Sequence, residues 1–267
     1  MKALRVFRRK AAPVPHLAPP VAAPDAFDEQ RRLLAEAEPR VIFDVGAHHG
    51  QTAERYKQLF PSAAVYSFEP FPESFAELQR KTSQLADVYP INVALSDRCG
   101  DAIFNANEFS PTNSLLPLAD EADAVWPGQV KSKEIVRVST TTIDEFCRAR
   151  AIDRIDLLKL DVQGAEHQVL AGAEAMIRRR AIGLIYTEII TLLTYAGQLE
   201  LHEFLRNMHE YGFQLQNFFN ASLTASGQLR QVDAIFMPAV CTAGHPGQRS
   251  SGHACSPTNA SAVISAA

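Results

Sequence analysis

Val41-Ile42-Phe43-Asp44-Val45-Gly46-Ala47-His48-His49-Gly50-Gln51 is the stretch from which the rest of the chain is read. An apolar run ends in Asp44, a loop bracketed by Gly46 and Gly50 follows, and Gln51-Thr52-Ala53-Glu54-Arg55 has the character of the first turns of a helix. Strand, tight loop and helix start together aim backbone N–H groups at whatever lies above the loop. The two glycines are expected to let a ligand approach the backbone without a Cβ in the way.

A second acid gives the first its meaning. A helix through Leu59 and Phe60 is stopped by Pro61, and the strand Ala64-Val65-Tyr66-Ser67-Phe68 ends in Glu69, 19 positions after Gly50. An acid at the end of the next strand, about 20 residues past a glycine loop, is placed to accept hydrogen bonds from both hydroxyls of a ribose. The ligand is therefore read as a nucleoside compound. A dinucleotide loop is G-x-G-x-x-G, whereas this one is D-x-G-x-x-x-G, with a carboxylate where a pyrophosphate would be repelled. S-adenosylmethionine has the matching chemistry: an ammonium for an acidic or carbonyl acceptor, a carboxylate for the loop N–H groups and a ribose for Glu69.

Composition limits the class. The 267 residues are 46% hydrophobic and 21% charged with a net charge of −4, enough for a sizeable core and consistent with one domain plus tails. No global basic excess points to nucleic acid. Cys99, Cys147, Cys241 and Cys255 lie far apart, which suggests neither a disulfide framework nor a zinc site and fits a reducing cytoplasm. Residues 1–27, proline-rich with a basic start, are expected to be a flexible arm, and residues 241–267 an unstructured tail. No span is long enough to cross a bilayer.

Between the tails the pattern alternates. After a short helix from Phe27 to Glu38, the first two strands are followed by the helix Glu73 to Gln84 and a third strand, Val88 to Val93, leading to Ser96 and Asp97. This β-α-β-α-β order implies parallel strands with right-handed crossovers, so the strand ends collect on one edge and Ser96 and Asp97 are expected near an adenine. Residues 100–142 then read as two alternating runs around a long polar segment, Glu108 to Lys133, expected to be a substrate-facing insertion. The strand Ile155 to Leu160, ending in Asp161, the helix Glu166 to Arg180, and a buried strand leading to Glu188 come next. A helix, Leu201 to Tyr211, precedes two final strands, Phe213 to Phe219 and Val232 to Met237, expected to close the sheet as an antiparallel hairpin.

Seven strands with Asp44 and Glu69 on the first two give an α/β, Rossmann-like class I methyltransferase layout: a mostly parallel sheet, helices on both faces and a terminal hairpin. Asp44-Val45-Gly46-Ala47, Phe68-Glu69-Pro70, Asn92-Val93-Ala94-Leu95-Ser96-Asp97, Asn113-Ser114-Leu115 and above all Leu158-Lys159-Leu160-Asp161-Val162-Gln163-Gly164-Ala165-Glu166 resemble the FkbM family of S-adenosylmethionine-dependent methyltransferases. The resemblance runs from about Val41 to Pro238, and the family more often carries Glu where this chain has Gln163. It implies methylation of hydroxyls on sugars, glycans or polyketide-like products, with a small-molecule or glycan hydroxyl as acceptor.

The candidate cofactor-binding set is Asp44, Gly46, Ala47, His48 and Gly50 in the loop, Glu69 and Pro70, Ser96 and Asp97, and Asp161. A sulfonium methyl is already electrophilic, so the protein must hold an oxygen in line, exclude water and accept a proton. Asp161 and Glu188 are the candidate catalytic carboxylates, one accepting the proton and the other orienting the substrate, with His48, His49 and His167 as alternative bases. Asp161 and Glu166 can equally well order the loop and cap the following helix. No metal-ligand spacing stands out. An amine acceptor, a nicotinamide-dependent oxidoreductase and a non-catalytic interaction module stay open beside hydroxyl methylation.

Overall fold

In the computed structural model, residues 25–239 are described; apart from residues 25–27, the expected arm and tail lie outside them. Asp25 accepts the N–H of Phe27 and starts α1 (Ala26–Leu33), so the folded region begins slightly earlier than residue 28. Ala26 is buried, and Phe27 packs its ring against Tyr56 and Tyr186.

The chain continues through β1 (Val41–Val45), α2 (Gln51–Leu59), β2 (Ala64–Phe68), α3 (Pro72–Thr82), β3 (Val88–Ile91), β4 (Ala94–Leu95) and β5 (Gly100–Asn107). A 3-10 turn at Ser110–Thr112 and α4 (Ala122–Val125) precede β6 (Ser132–Thr141), α5 (Ile143–Arg150) and β7 (Ile155–Leu160). α6 (Glu166–Ala171), α7 (Glu174–Arg178), β8 (Ile182–Ile190), α8 (Leu201–Glu210), β9 (Phe213–Leu223) and β10 (Leu229–Pro238) complete it.

Seven strands form one sheet in the order β3-β2-β1-β7-β8-β10-β9. Pairing is parallel from β3 to β8, and β10 inserts antiparallel between β8 and β9. Every residue of β7 is buried, as a central parallel strand covered on both faces requires. On one face Phe43, Leu158, Ile185 and Phe236 pack with Phe146 and Phe204; on the other Ile42, Val65, Leu157, Leu184 and Ile235 pack with Tyr56. On this second face the next step along each strand turns polar: register aligns Asp44 with Ser67 on one side and Lys159 on the other. The core thus gives way to charge at the carboxyl ends of the strands, where open α/β sheets bind ligands.

Several elements differ from expectation: β8 runs through Glu188, which was expected beyond a strand ending at Tyr186, and the last two strands are longer than Phe213 to Phe219 and Val232 to Met237. The third strand stops at Ile91, and Ala94 and Leu95 join a separate sheet ordered β4-β6-β5, which makes residues 100–141 a wall beside the main sheet. The expected single helix Glu166 to Arg180 is broken at Gly172 and Ala173. A Cβ on Gly172 would lie 2.1 Å from the Ser96 carbonyl oxygen, and Asp144 accepts the N–H groups of Ala175 and Met176 at 2.7 and 3.0 Å, starting α7 afresh.

Candidate active site

A cavity of about 270 Å³ opens at the carboxyl ends of β1, β2 and β7. Its floor is the loop after β1, where Gly46, Ala47 and His48 face it together with Gln51 and Thr52 of α2. Gly50, at φ +85°, precedes α2 and brings no side-chain cap, so the first N–H groups of the helix have no intrahelical acceptor and stand at the cavity edge. Those are suitable donors for a carboxylate.

The two glycines serve the protein's own packing. A Cβ on Gly46 would lie 1.8 Å from the carbonyl oxygen of Asp161, and one on Gly50 would lie 2.9 Å from Leu78 Cδ1. The space expected for a ligand is filled by the end of β7 and by α3, and both residues hold positive φ angles that other residue types avoid.

Glu69 stands on one wall with Pro70 beside it. Its Oε2 accepts the His48 N–H and its Oε1 the Phe71 N–H, each at 2.9 Å. Both oxygens are therefore held in place and still have lone pairs for two hydroxyls. Burial pushes this carboxyl up to about 7, against the two backbone donors that favour its charge. His48 donates or accepts through Nε2 to Ser110 Oγ at 2.8 Å and stacks on His49 at 3.6 Å between centroids. Burial first, then His49, lowers the His48 imidazole to about 4, so it is neutral near pH 7. The covering segment contributes Ser110, Pro111, Asn113 and Leu115, and the second sheet contributes Phe104.

The opposite wall is Lys159, Asp161, Val162 and Gln163. Lys159 is buried, with Nζ 3.2 Å from Asp44 Oδ1 and 3.5 Å from Asp161 Oδ2, and it donates to the carbonyls of Val45 and Gly46 at 3.2 and 2.8 Å. Burial alone would lower its ammonium, but Asp44 and Asp161 outweigh that and hold it above the usual lysine value. Gln163 uses both hydrogens of its amide, one to Asp161 Oδ1 at 2.8 Å and one to Glu188 Oε2 at 2.7 Å.

Of the residues singled out from sequence, Gly46, Ala47, His48, Glu69, Pro70 and Asp161 come together around this cavity. Others do not. Asp44 is fully buried behind Lys159 and does not reach the cavity, so the acid expected to meet a cationic ligand instead neutralises a lysine. Ser96 and Asp97 lie outside the wall: Ser96 donates toward Asp97 and Gln168, while Ala94 and Leu95 take the lining positions. Glu188 faces a separate narrow cleft with Gly164 and His167, joined to Asp161 only through Gln163. Burial, and then repulsion from Asp161 and Asp233, push its carboxyl well above the usual range. Glu166 accepts the N–H groups of Val162 and Gly164, ordering the turn after β7.

Lys159 and Gln163 were not expected to act. A lysine inside the otherwise apolar run Ile155 to Leu160 was the available signal, since a charge in a strand buried on both faces needs a partner.

The sheet order, the glycine loop and the acid ending β2 define a class I S-adenosylmethionine-dependent methyltransferase. Residues 44–215 match the methyltransferase FkbM domain, and the chain belongs to that family. It is 33% identical over 181 residues to the 2-O-methyltransferase NoeI of Sinorhizobium fredii, a match covering 65% of this chain and 72% of that one. The hexuronic acid methyltransferase AglP of Haloferax volcanii is 29% identical over 54% of this chain and 55% of its own length. The 31-O-demethyl-FK506 methyltransferase FkbM of Streptomyces tacrolimicus is 28% identical over 50% and 59%. The chain thus spans little more than half the length of these last two relatives. The family sets aside the nicotinamide reading.

The residues present fit S-adenosylmethionine. Glu69 offers two fixed acceptors for a ribose, and the start of α2 offers N–H donors for a carboxylate. No helix among the described residues is long and apolar enough to cross a membrane.

Proposed function

We propose that the protein methylates a hydroxyl on a sugar, a glycan or a sugar-like metabolite. The observation that carries this reading is Asp161, a cavity carboxylate whose side chain keeps 40% of its accessible surface while Lys159 and Gln163 fix both its oxygens. When bound, the cofactor supplies an electrophilic methyl on sulfur. A hydroxyl, unlike an amine, is a poor nucleophile until something takes its proton. Asp161 accepts that proton; Lys159 pairs with one of its oxygens and Gln163, anchored on Glu188, donates to the other, so its orientation is fixed. Phe104, Pro111 and Leu115 supply the apolar wall that keeps water from the reacting atoms.

The names of NoeI, AglP and the Streptomyces FkbM enzyme support an oxygen or sugar-acid acceptor. The test is transfer of labelled methyl from S-adenosylmethionine to a panel of sugars and hydroxylated lipids, with Asp161→Asn beside the wild type. Turnover is expected to fall by about 10²–10⁴-fold, the usual range for a general base, with cofactor affinity nearly kept. Unchanged turnover would leave Asp161 as a loop-ordering residue, and lost cofactor affinity would make it the ammonium acceptor.

A further inference from the structure

We infer that a groove beside the cavity binds a neutral saccharide ring, a part of the acceptor that is not itself methylated; this rests on the reading of a sugar hydroxyl as acceptor. The groove, about 410 Å³, is lined by Glu108, Phe109, Gly128, Gln129 and Lys131. A single exposed aromatic is ordinary on a protein surface. Phe109 differs because its backbone is tied to the cavity wall while its ring is left in solvent, 53% exposed.

The Phe109 carbonyl accepts both the N–H and the hydroxyl of Thr112, at 2.9 and 2.7 Å. The next residue, Ser110, lines the cavity and meets His48 Nε2 at 2.8 Å. A ring stacked on Phe109 therefore lies one residue away from the methyl-transfer cavity along a braced segment. On the far side, Gly128 has φ +68°, its N–H is held by Asp123 Oδ1 at 2.9 Å, and a Cβ there would meet no heavy atom within 4 Å, so that edge is open.

The charge of the groove points to a neutral ring. Lys131 and Glu108 pair at 2.7 Å, and the Glu108 N–H donates to the Lys131 carbonyl at 2.8 Å, so the two formal charges cancel on a fixed backbone. The Gln129 side-chain amide has no hydrogen-bond partner among the described residues. A pyranose presents an apolar C–H face to an aromatic ring and hydroxyls to amides and carboxylates around it, which is the chemistry gathered here.

The experiment is calorimetric titration of the full-length protein, saturated with S-adenosylhomocysteine, with cellotetraose, maltotetraose and tetra-N-acetylchitotetraose, alongside methyl transfer to the same sugars. At least one is expected to bind, with affinity falling about tenfold in Phe109→Ala and falling also in Gln129→Ala, and with KM for that sugar rising more than kcat falls. Equal binding by wild type and Phe109→Ala, or binding of none of the three, would overturn the groove. If sugars are methylated with no sensitivity to Phe109, the groove is wrong and sugar methylation stands. If the wild type methylates only a non-sugar hydroxyl, both are wrong.

Discussion

Lys159 shows how one residue can hold a site together. Its ammonium joins Asp44, buried behind it, Asp161 on the cavity wall and the carbonyls of Val45 and Gly46 at the end of β1. Lys159→Met removes one partner of a buried pair and leaves Asp44 uncompensated, so unfolding free energy is expected to drop by about 3–5 kcal/mol. Denaturant titration reads this, and Asp44→Asn combined with Lys159→Met is expected to regain part of the loss. Glu69 carries the pH dependence. With its carboxyl raised to about 7, the folded state holds this proton more tightly than the unfolded chain. Its contribution to stability is therefore full below the unfolded value of 4.5 and is lost as pH rises through about 7. The ionised form that can serve two ribose hydroxyls grows in over the same window. Affinity for S-adenosylhomocysteine is expected to strengthen from about pH 6 to about pH 8, by at most about tenfold per unit, and Glu69→Gln is expected to flatten the profile.

Among the elements, β1 and β7 meet closely at their carboxyl ends. The absent Cβ of Gly46 is where the Asp161 carbonyl sits, so Gly46→Ala must push the two strand ends apart. A loss of at least about 2 kcal/mol is expected, together with weaker cofactor binding, measured by thermal unfolding and titration. This contact joins residues far apart in sequence, which is why the glycines of the loop read as room for a ligand. Local pattern made the seven strands of the main sheet legible, though not their ends: Ile155 to Leu160 and the start of β8 are near-continuous apolar runs, and β9 and β10 are separated by a short turn. Glu69 and Asp161 were readable because they directly follow such strands. The rest depended on partners at a distance. Ala94 and Leu95 become a strand only because Thr140 and Thr141 lie beside them, and α6 ends where Ser96 crowds Gly172. That Asp44 faces Lys159 and not the cavity follows from strand register, which a single strand does not reveal.

Across the molecule, one edge of the main sheet supplies the chemistry and the segment between β5 and β6 covers it. That cover is fastened to the loop after β8 and to β10: Ala119 N–H donates to the Thr194 carbonyl, Tyr195 Oη donates to the Thr112 carbonyl at 2.7 Å, and the Arg230 guanidinium of β10 lies 3.6 Å from the Trp126 ring centroid. The cavity is thus a joint product of distant parts, and a ligand that fills it stabilises the whole. At a concentration about 100 times Kd, S-adenosylmethionine is expected to add about 2.7 kcal/mol to unfolding free energy. The decisive measurement is calorimetric titration of wild type and Glu69→Ala with S-adenosylmethionine, S-adenosylhomocysteine and NAD. Binding of the first two, no binding of NAD, and a marked loss in Glu69→Ala are the expected results. A folded protein that binds neither, or binds them equally well without the Glu69 carboxylate, would contradict the placement of the cofactor between Glu69 and Asp161.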